Sequence, residues 1–173
     1  LEGEKLLTLY PGVRISTRLA PKLYNISCSP VHIKKCLMNL VINAAEAVGS
    51  SGLITISTVN RHLDQEHGQN NSLPTGEYIA LTVKDDGHGI SEADLKHIFE
   101  PFYTKKKMGR SGTGIGLTVV WNALQDHGGT VSVESDKTGT TFTLLFPAAI
   151  DRDLSVPREK INIKHLQGKG EHI

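Results

Sequence analysis

Three short groups of residues in this 173-residue chain carry side chains or backbone shapes that could do chemistry. The first is Asn39 and Asn43, flanked by Leu40, Val41 and Ile42. Asparagine is a poor helix former because its amide competes for backbone groups, and a spacing of four puts two such amides on one helix face. Paired amide oxygens beside an apolar core suit a hard cation or a phosphate. Mg²⁺ accepts such oxygens and needs few protein ligands when phosphates supply others. The second group is Asp85-Asp86-Gly87-His88-Gly89-Ile90. Its glycines let backbone approach a flat ligand, and a carboxylate at a strand end can accept from an exocyclic amine. Taken alone it is equally a plain turn. The third is Gly112-Thr113-Gly114-Ile115-Gly116-Leu117, opening a helix whose free N–H groups and dipole favour phosphate. It is no Walker A loop, since no Lys-Ser/Thr follows. Nor is it a strand-preceded dinucleotide fingerprint with an acidic residue about 20 positions on.

These groups need elements to hold them. Val13 to Leu19 alternates apolar and polar residues as a half-buried strand does, and Tyr24 to Cys28 reads as a second strand. Ser29-Pro30 then starts a helix. From Val31 to Val48, Ile33, Leu37, Leu40, Val41, Ala44 and Val48 form one apolar stripe at spacings of three and four. Ile54–Val59 and Tyr78–Val83 read as paired strands joined by a long polar connection. Ser91 caps a short helix to Phe99, and a longer helix runs from Ile115 to His127, stopped by Gly128-Gly129. Thr130–Ser135 and Thr140–Phe146 flank a turn. This order predicts an α+β two-layer sandwich: a mixed, mostly antiparallel sheet covered by helices on one face. Residues 1–147 read as one domain and 148–173 as a linker or tail.

Composition narrows the function classes. Apolar residues and glycine make up close to half the chain, which excludes wholesale disorder, collagen and coiled coil. Nineteen Lys and Arg balance eighteen Asp and Glu, so no charge excess favours nucleic acid or an anionic membrane. No apolar run approaches the ~18 residues of a membrane span, and the expected setting is cytoplasmic. Cys28 and Cys36 are too few and too oddly spaced for a zinc site or a disulfide framework.

In this order and at these separations, the three groups resemble the Asn box and first two glycine boxes of sensor histidine kinase catalytic domains. Those domains share an ATPase superfamily with gyrase B, Hsp90 and MutL. Phe99-Glu100-Pro101-Phe102 resembles the kinase phenylalanine box, and Gly139-Thr140-Thr141-Phe142 its last glycine motif. The resemblance spans roughly residues 5–147 and implies a Bergerat-type ATP-binding fold with ATP and Mg²⁺ as cofactors. It implies Asn43 as the Mg²⁺ ligand, Asn39 facing the phosphates, and Asp85 accepting from the adenine amine. It implies Gly87, Gly89 and Ile90 under the base and Thr141 as a hydroxyl near it, with Ala47 in the Asn43-Ala44-x-x-Ala47 run beside them. Phe102 would pack against the core and anchor a lid begun by Thr104, Lys105 and Lys106 and closed by Gly112, Thr113, Gly114, Ile115, Gly116 and Leu117. Asn39, Asn43 and Lys105 are the expected catalytic set.

The resemblance also bears on the reaction. The ATP-hydrolysing relatives place a Glu four residues before the Mg²⁺ Asn, and here that position is Asn39, which cannot act as a base. This favours a kinase, whose nucleophile is a histidine of a dimerisation and phosphoacceptor domain. None of the eight His here is followed by Asp or Glu, the acceptor context, so the acceptor is expected outside this chain. The alternatives are an ATP-gated clamp, or a nucleotide-sensing module without phosphotransfer. Gly168–Ile173 resembles the lead-in to a response-regulator receiver domain, a downstream partner, in a hybrid parent that could be membrane-anchored.

Overall fold

The computed structural model describes residues 10–64, 73–104 and 113–150. In chain order these form β1 (Val13–Leu19), α1 (Pro30–Val48), β2 (Gly52–Leu63), β3 (Gly76–Asp85), α2 (Glu92–Leu95), α3 (Gly116–Asp126), β4 (Thr130–Asp136) and β5 (Gly139–Pro147). The strands make one sheet in the order β1-β2-β3-β5-β4. β1 runs parallel to β2 through the α1 crossover, and the other pairs are antiparallel. The α+β sandwich and its mixed sheet are as the sequence predicts.

The apolar stripe of α1 explains its position. Cys36, Leu40, Val41, Ala44 and Ala45 are buried on its inner face. They meet Val120 and Leu124 of α3 and Ile54, Val83 and Leu144 of the sheet in one continuous core. Truncating a side chain such as Leu40 to alanine in such a core costs about 2–5 kcal/mol. On the opposite face Tyr78, Ala80 and Leu145 form a smaller cluster with Leu63 and Leu73. Strand alternation therefore assigns each residue near the end of β3 or the start of β5 to one face or the other.

Two elements differ from expectation. Tyr24–Cys28 is no strand; a single bridge joins Ile26 to Ala148. The Asn60 side chain holds this stretch instead, accepting from the Tyr24 N–H at 3.0 Å and donating to the Lys22 carbonyl at 3.1 Å. The helix expected from Ser91 to Phe99 covers only Glu92–Leu95. Ser91 does cap it, accepting from Asp94 N–H at 3.3 Å, but His97 and Glu100 N–H then bond to Asp94 and His97 carbonyls in tight turns. By contrast α3 stops as its glycines require: Gly128 has φ 65° and Gly129 N–H reaches the Leu124 carbonyl at 2.8 Å. Residues 151–173, including the expected receiver lead-in at Gly168–Ile173, lie outside the described residues. Among the described residues no helix is long and apolar enough to cross a membrane.

Candidate functional site

β3 ends on Asp85, which stands opposite Thr140 in the register with β5. Asp85 is only 3% exposed. Its Oδ1 accepts from Gly87 N–H at 2.9 Å and Thr140 N–H at 3.3 Å, while no hydrogen bond to Oδ2 occurs among the described residues. Burial pushes the carboxyl above the ordinary aspartate range, with the two N–H donors pulling it back. A buried acceptor with one oxygen already fixed can present the other to a donor, and an amine-bearing ring fits that description.

The turn after Asp85 is fixed by close packing. A Cβ at Gly87 would lie 2.6 Å from the Ala47 carbonyl carbon of α1, and His88 N–H donates to Ala47 O at 3.3 Å. Gly89 has φ 72° and backs directly onto the Asp136 carbonyl. Ile90 N–H donates to Ser135 Oγ at 2.8 Å. The flat floor expected of Gly87, Gly89 and Ile90 is thus held between α1 and the β4–β5 hairpin.

Asn39, Asn43 and Ala47 follow one another every four residues along one face of α1, all half-buried. No hydrogen bond from either asparagine side chain occurs among the described residues. A Cβ at Gly116 would come within 3.2 Å of Asn39 Oδ1, so the first turn of α3 runs against this face. Ala47 touches the Asp85 turn at one end of the row, and Asn39 touches α3 at the other. Amide oxygens, an N-terminal helix turn and a buried carboxylate therefore line one stretch of α1. Such a set suits the Mg²⁺ salt of a purine nucleotide: oxygen donors for a hard cation, N–H groups for phosphate, an acceptor for the base amine. Among the described residues no group of three His, Cys, Asp or Glu could hold a metal.

The two flanks of segment 105–112 meet. Phe102 N–H donates to the Gly114 carbonyl at 3.0 Å, and a Cβ on Gly114 (φ 68°) would lie 2.5 Å from the Phe102 carbonyl carbon. Tyr103 Oη donates to Asp94 Oδ1 at 2.6 Å, tying this base to α2. Thr104, Thr113 and Ile115 are exposed beside it, and Leu117 packs on the core. Lys105, Lys106 and Gly112 lie outside the described residues.

Two expectations need correction. Phe102 does not pack its ring on the core: the side chain is 72% exposed and the backbone has φ 66°. It anchors through its N–H instead. Thr141 is not the hydroxyl beside Asp85. It pairs with Lys84 and shares the sheet face of Thr143 and Leu145, so the adjacent hydroxyl belongs to Thr140, 3% exposed. Ser135, bonded to Ile90 N–H and to Thr140 Oγ1, joins Thr140 at this turn. Counting back in twos from the buried Phe142 would have found Thr140; Ser135 carries no comparable signal.

A family described as histidine kinase-, DNA gyrase B-, and HSP90-like ATPase matches residues 28–150. Among curated relatives, sensor histidine kinase ZraS of Escherichia coli (strain K12) is 35% identical over 131 residues, 75% of this chain and 24% of that protein. The chain thus spans about a quarter of the length of that relative. Among solved structures, mycobacterial sensor histidine kinase MprB superposes with a TM-score of 0.65 at 19% identity, covering 84% of this chain and 88% of that one. Full-length ShkA in complex with AMPPNP gives 0.62 at 20% identity, covering 84% and 29%.

Proposed function

The chain belongs to the histidine kinase-, DNA gyrase B-, and HSP90-like ATPase family, and from that premise we propose that it is the catalytic domain of a sensor histidine kinase. In this reading it binds Mg-ATP and directs the γ-phosphoryl group to a histidine on a dimerisation domain outside this chain. The observation that carries the reading is Asp85, buried with one oxygen fixed and the other open, on the same wall as two half-buried asparagines.

The roles in this reading are those that the family resemblance implies. Asp85 Oδ2 accepts from the adenine amine, and a base with a carbonyl there leaves the carboxylate unpaired. Gly87, Gly89 and Ile90 floor the base, beside Ala47. Asn43 would hold the metal through its amide oxygen, and Asn39 would face the phosphates. Bound Mg²⁺ would neutralise charge on the β- and γ-phosphates. Gly112, Gly114 and Gly116 let backbone N–H groups approach the phosphates. Lys105 and Lys106 would bring positive charge to the phosphates. With an amide at position 39, no side chain there can take a proton from water, so hydrolysis is slow and an external imidazole is the nucleophile. The cytoplasmic setting, a downstream receiver domain and a membrane-anchored parent belong to the same reading.

The test is transfer of γ-labelled phosphate to a separately supplied phosphoacceptor domain. An acid-labile, alkali-stable product supports the proposal; ATP binding without transfer to any acceptor contradicts it and favours the sensing module.

A further inference from the structure

We infer that Ser135 is a positioning residue that sets selectivity for an amino over an oxo purine by fixing the direction of the Thr140 hydroxyl. This rests on the adenine-binding reading and adds to it a residue that contacts no base. Ser135 sits near the end of β4, on the strand paired with Thr140. Its hydroxyl makes three contacts: Ile90 N–H at 2.8 Å, the Gly139 carbonyl at 3.1 Å and Thr140 Oγ1 at 2.9 Å.

A serine hydroxyl has one proton and two lone pairs, so three contacts saturate it. The proton goes to Gly139 O, because a carbonyl can only accept. One lone pair takes the Ile90 N–H. The remaining lone pair must then receive the Thr140 proton. Thr140 is left with lone pairs only toward anything else, directly across the strands from Asp85. Asp85 and Thr140 are therefore both acceptors. Such a pair favours a ring bearing an amine and leaves a carbonyl facing oxygen lone pairs without a hydrogen between them.

Removing the Ser135 hydroxyl frees the Thr140 proton. Thr140 can then turn and donate to a carbonyl, so discrimination falls. A residue of merely structural importance would weaken all nucleotides equally.

The experiment measures dissociation constants of ATP and inosine triphosphate for the wild-type chain, Ser135→Ala, Ser135→Thr and Asp85→Asn. The inference expects Ser135→Ala to lower the ATP preference by about fivefold or more, the worth of roughly one hydrogen bond. Ser135→Thr, which keeps a hydroxyl, should retain the preference. An unchanged ratio in Ser135→Ala, with both affinities lowered together or neither, overturns the role of Ser135 while leaving adenine recognition standing. A wild-type chain that binds both nucleotides equally overturns the adenine reading and this inference with it. Loss of preference in Asp85→Asn alone would confine selectivity to the carboxylate and also count against Ser135.

Discussion

Replacing Gly87 with alanine tests whether the turn after Asp85 is held by direct backbone contact with α1. The new Cβ would stand 2.6 Å from the Ala47 carbonyl carbon, 2.7 Å from its oxygen and 2.8 Å from its Cβ. Ordinary contact begins at 3.4 Å, so turn and helix must part by roughly 0.8 Å. The neighbour is helix backbone and cannot swing aside. Overpacking of this kind costs about 1–3 kcal/mol, and losing the 3.3 Å bond from His88 N–H to Ala47 O adds about 1 kcal/mol. The sum is roughly 2–4 kcal/mol. At about 2–4 °C per kcal/mol for a chain of this size, Tm should fall by roughly 4–16 °C. The turn begins two residues after Asp85, so ATP affinity should fall as well. Gly49→Ala is the control: at φ 76° and ψ −118° an alanine meets backbone strain of about 1–3 kcal/mol, but nothing lies within 4 Å, so it should bind ATP normally. Circular dichroism melts and calorimetric titrations read both effects. A Gly87→Ala protein melting within about 2 °C of wild type and binding ATP equally well would refute the packing argument.

Asp85→Asn keeps an acceptor for Gly87 and Thr140 N–H but turns a donor toward the adenine amine; ATP affinity should drop tenfold or more, about 1.4 kcal/mol, by calorimetry. Because burial raises the Asp85 carboxyl in the folded state, its stabilising contribution is complete below the unfolded pKa and is lost as pH rises through the folded value. The Tm of wild type relative to Asp85→Asn should therefore decline with rising pH across that window, and a flat difference would contradict the burial argument. Asn43→Ala should abolish the gain in ATP affinity on adding Mg²⁺ while leaving Mg-free binding close to wild type. Cys36, fully buried with its thiol pushed up to about 11, should resist thiol reagents at neutral pH until the chain is unfolded, as a colorimetric thiol titration would read.

The parts of this fold governed by local pattern were readable in advance. The apolar spacing from Ile33 to Val48 gives α1 its buried face, and Gly128-Gly129 ends α3 through a positive φ that only glycine takes easily. Features decided by tertiary partners were not. Tyr24–Cys28 has the composition of a strand, yet it makes only the isolated bridge of Ile26 with Ala148, and the Asn60 side chain takes up the Tyr24 N–H. The parallel pairing of β1 with β2 follows from where α1 packs, not from either strand's residues. At the site, the family resemblance singled out Asp85, Asn39 and Asn43, but adjacent threonines did not reveal which faced the carboxylate. Only the register, Thr140 against Asp85, separates them. Phe102 misled because a phenylalanine reads as core, while its positive φ and its bond to Gly114 leave the ring outside. Ser135 is an ordinary strand serine until the three groups around it are seen together.

The central claim is that the wall formed by Asp85, Asn39 and Asn43 receives a magnesium-bound adenine nucleotide. Calorimetric titration of the chain with ATP, with and without Mg²⁺, tests it most directly. The account expects saturable one-to-one binding that tightens when Mg²⁺ is present; no binding under either condition, or binding indifferent to Mg²⁺, would contradict it.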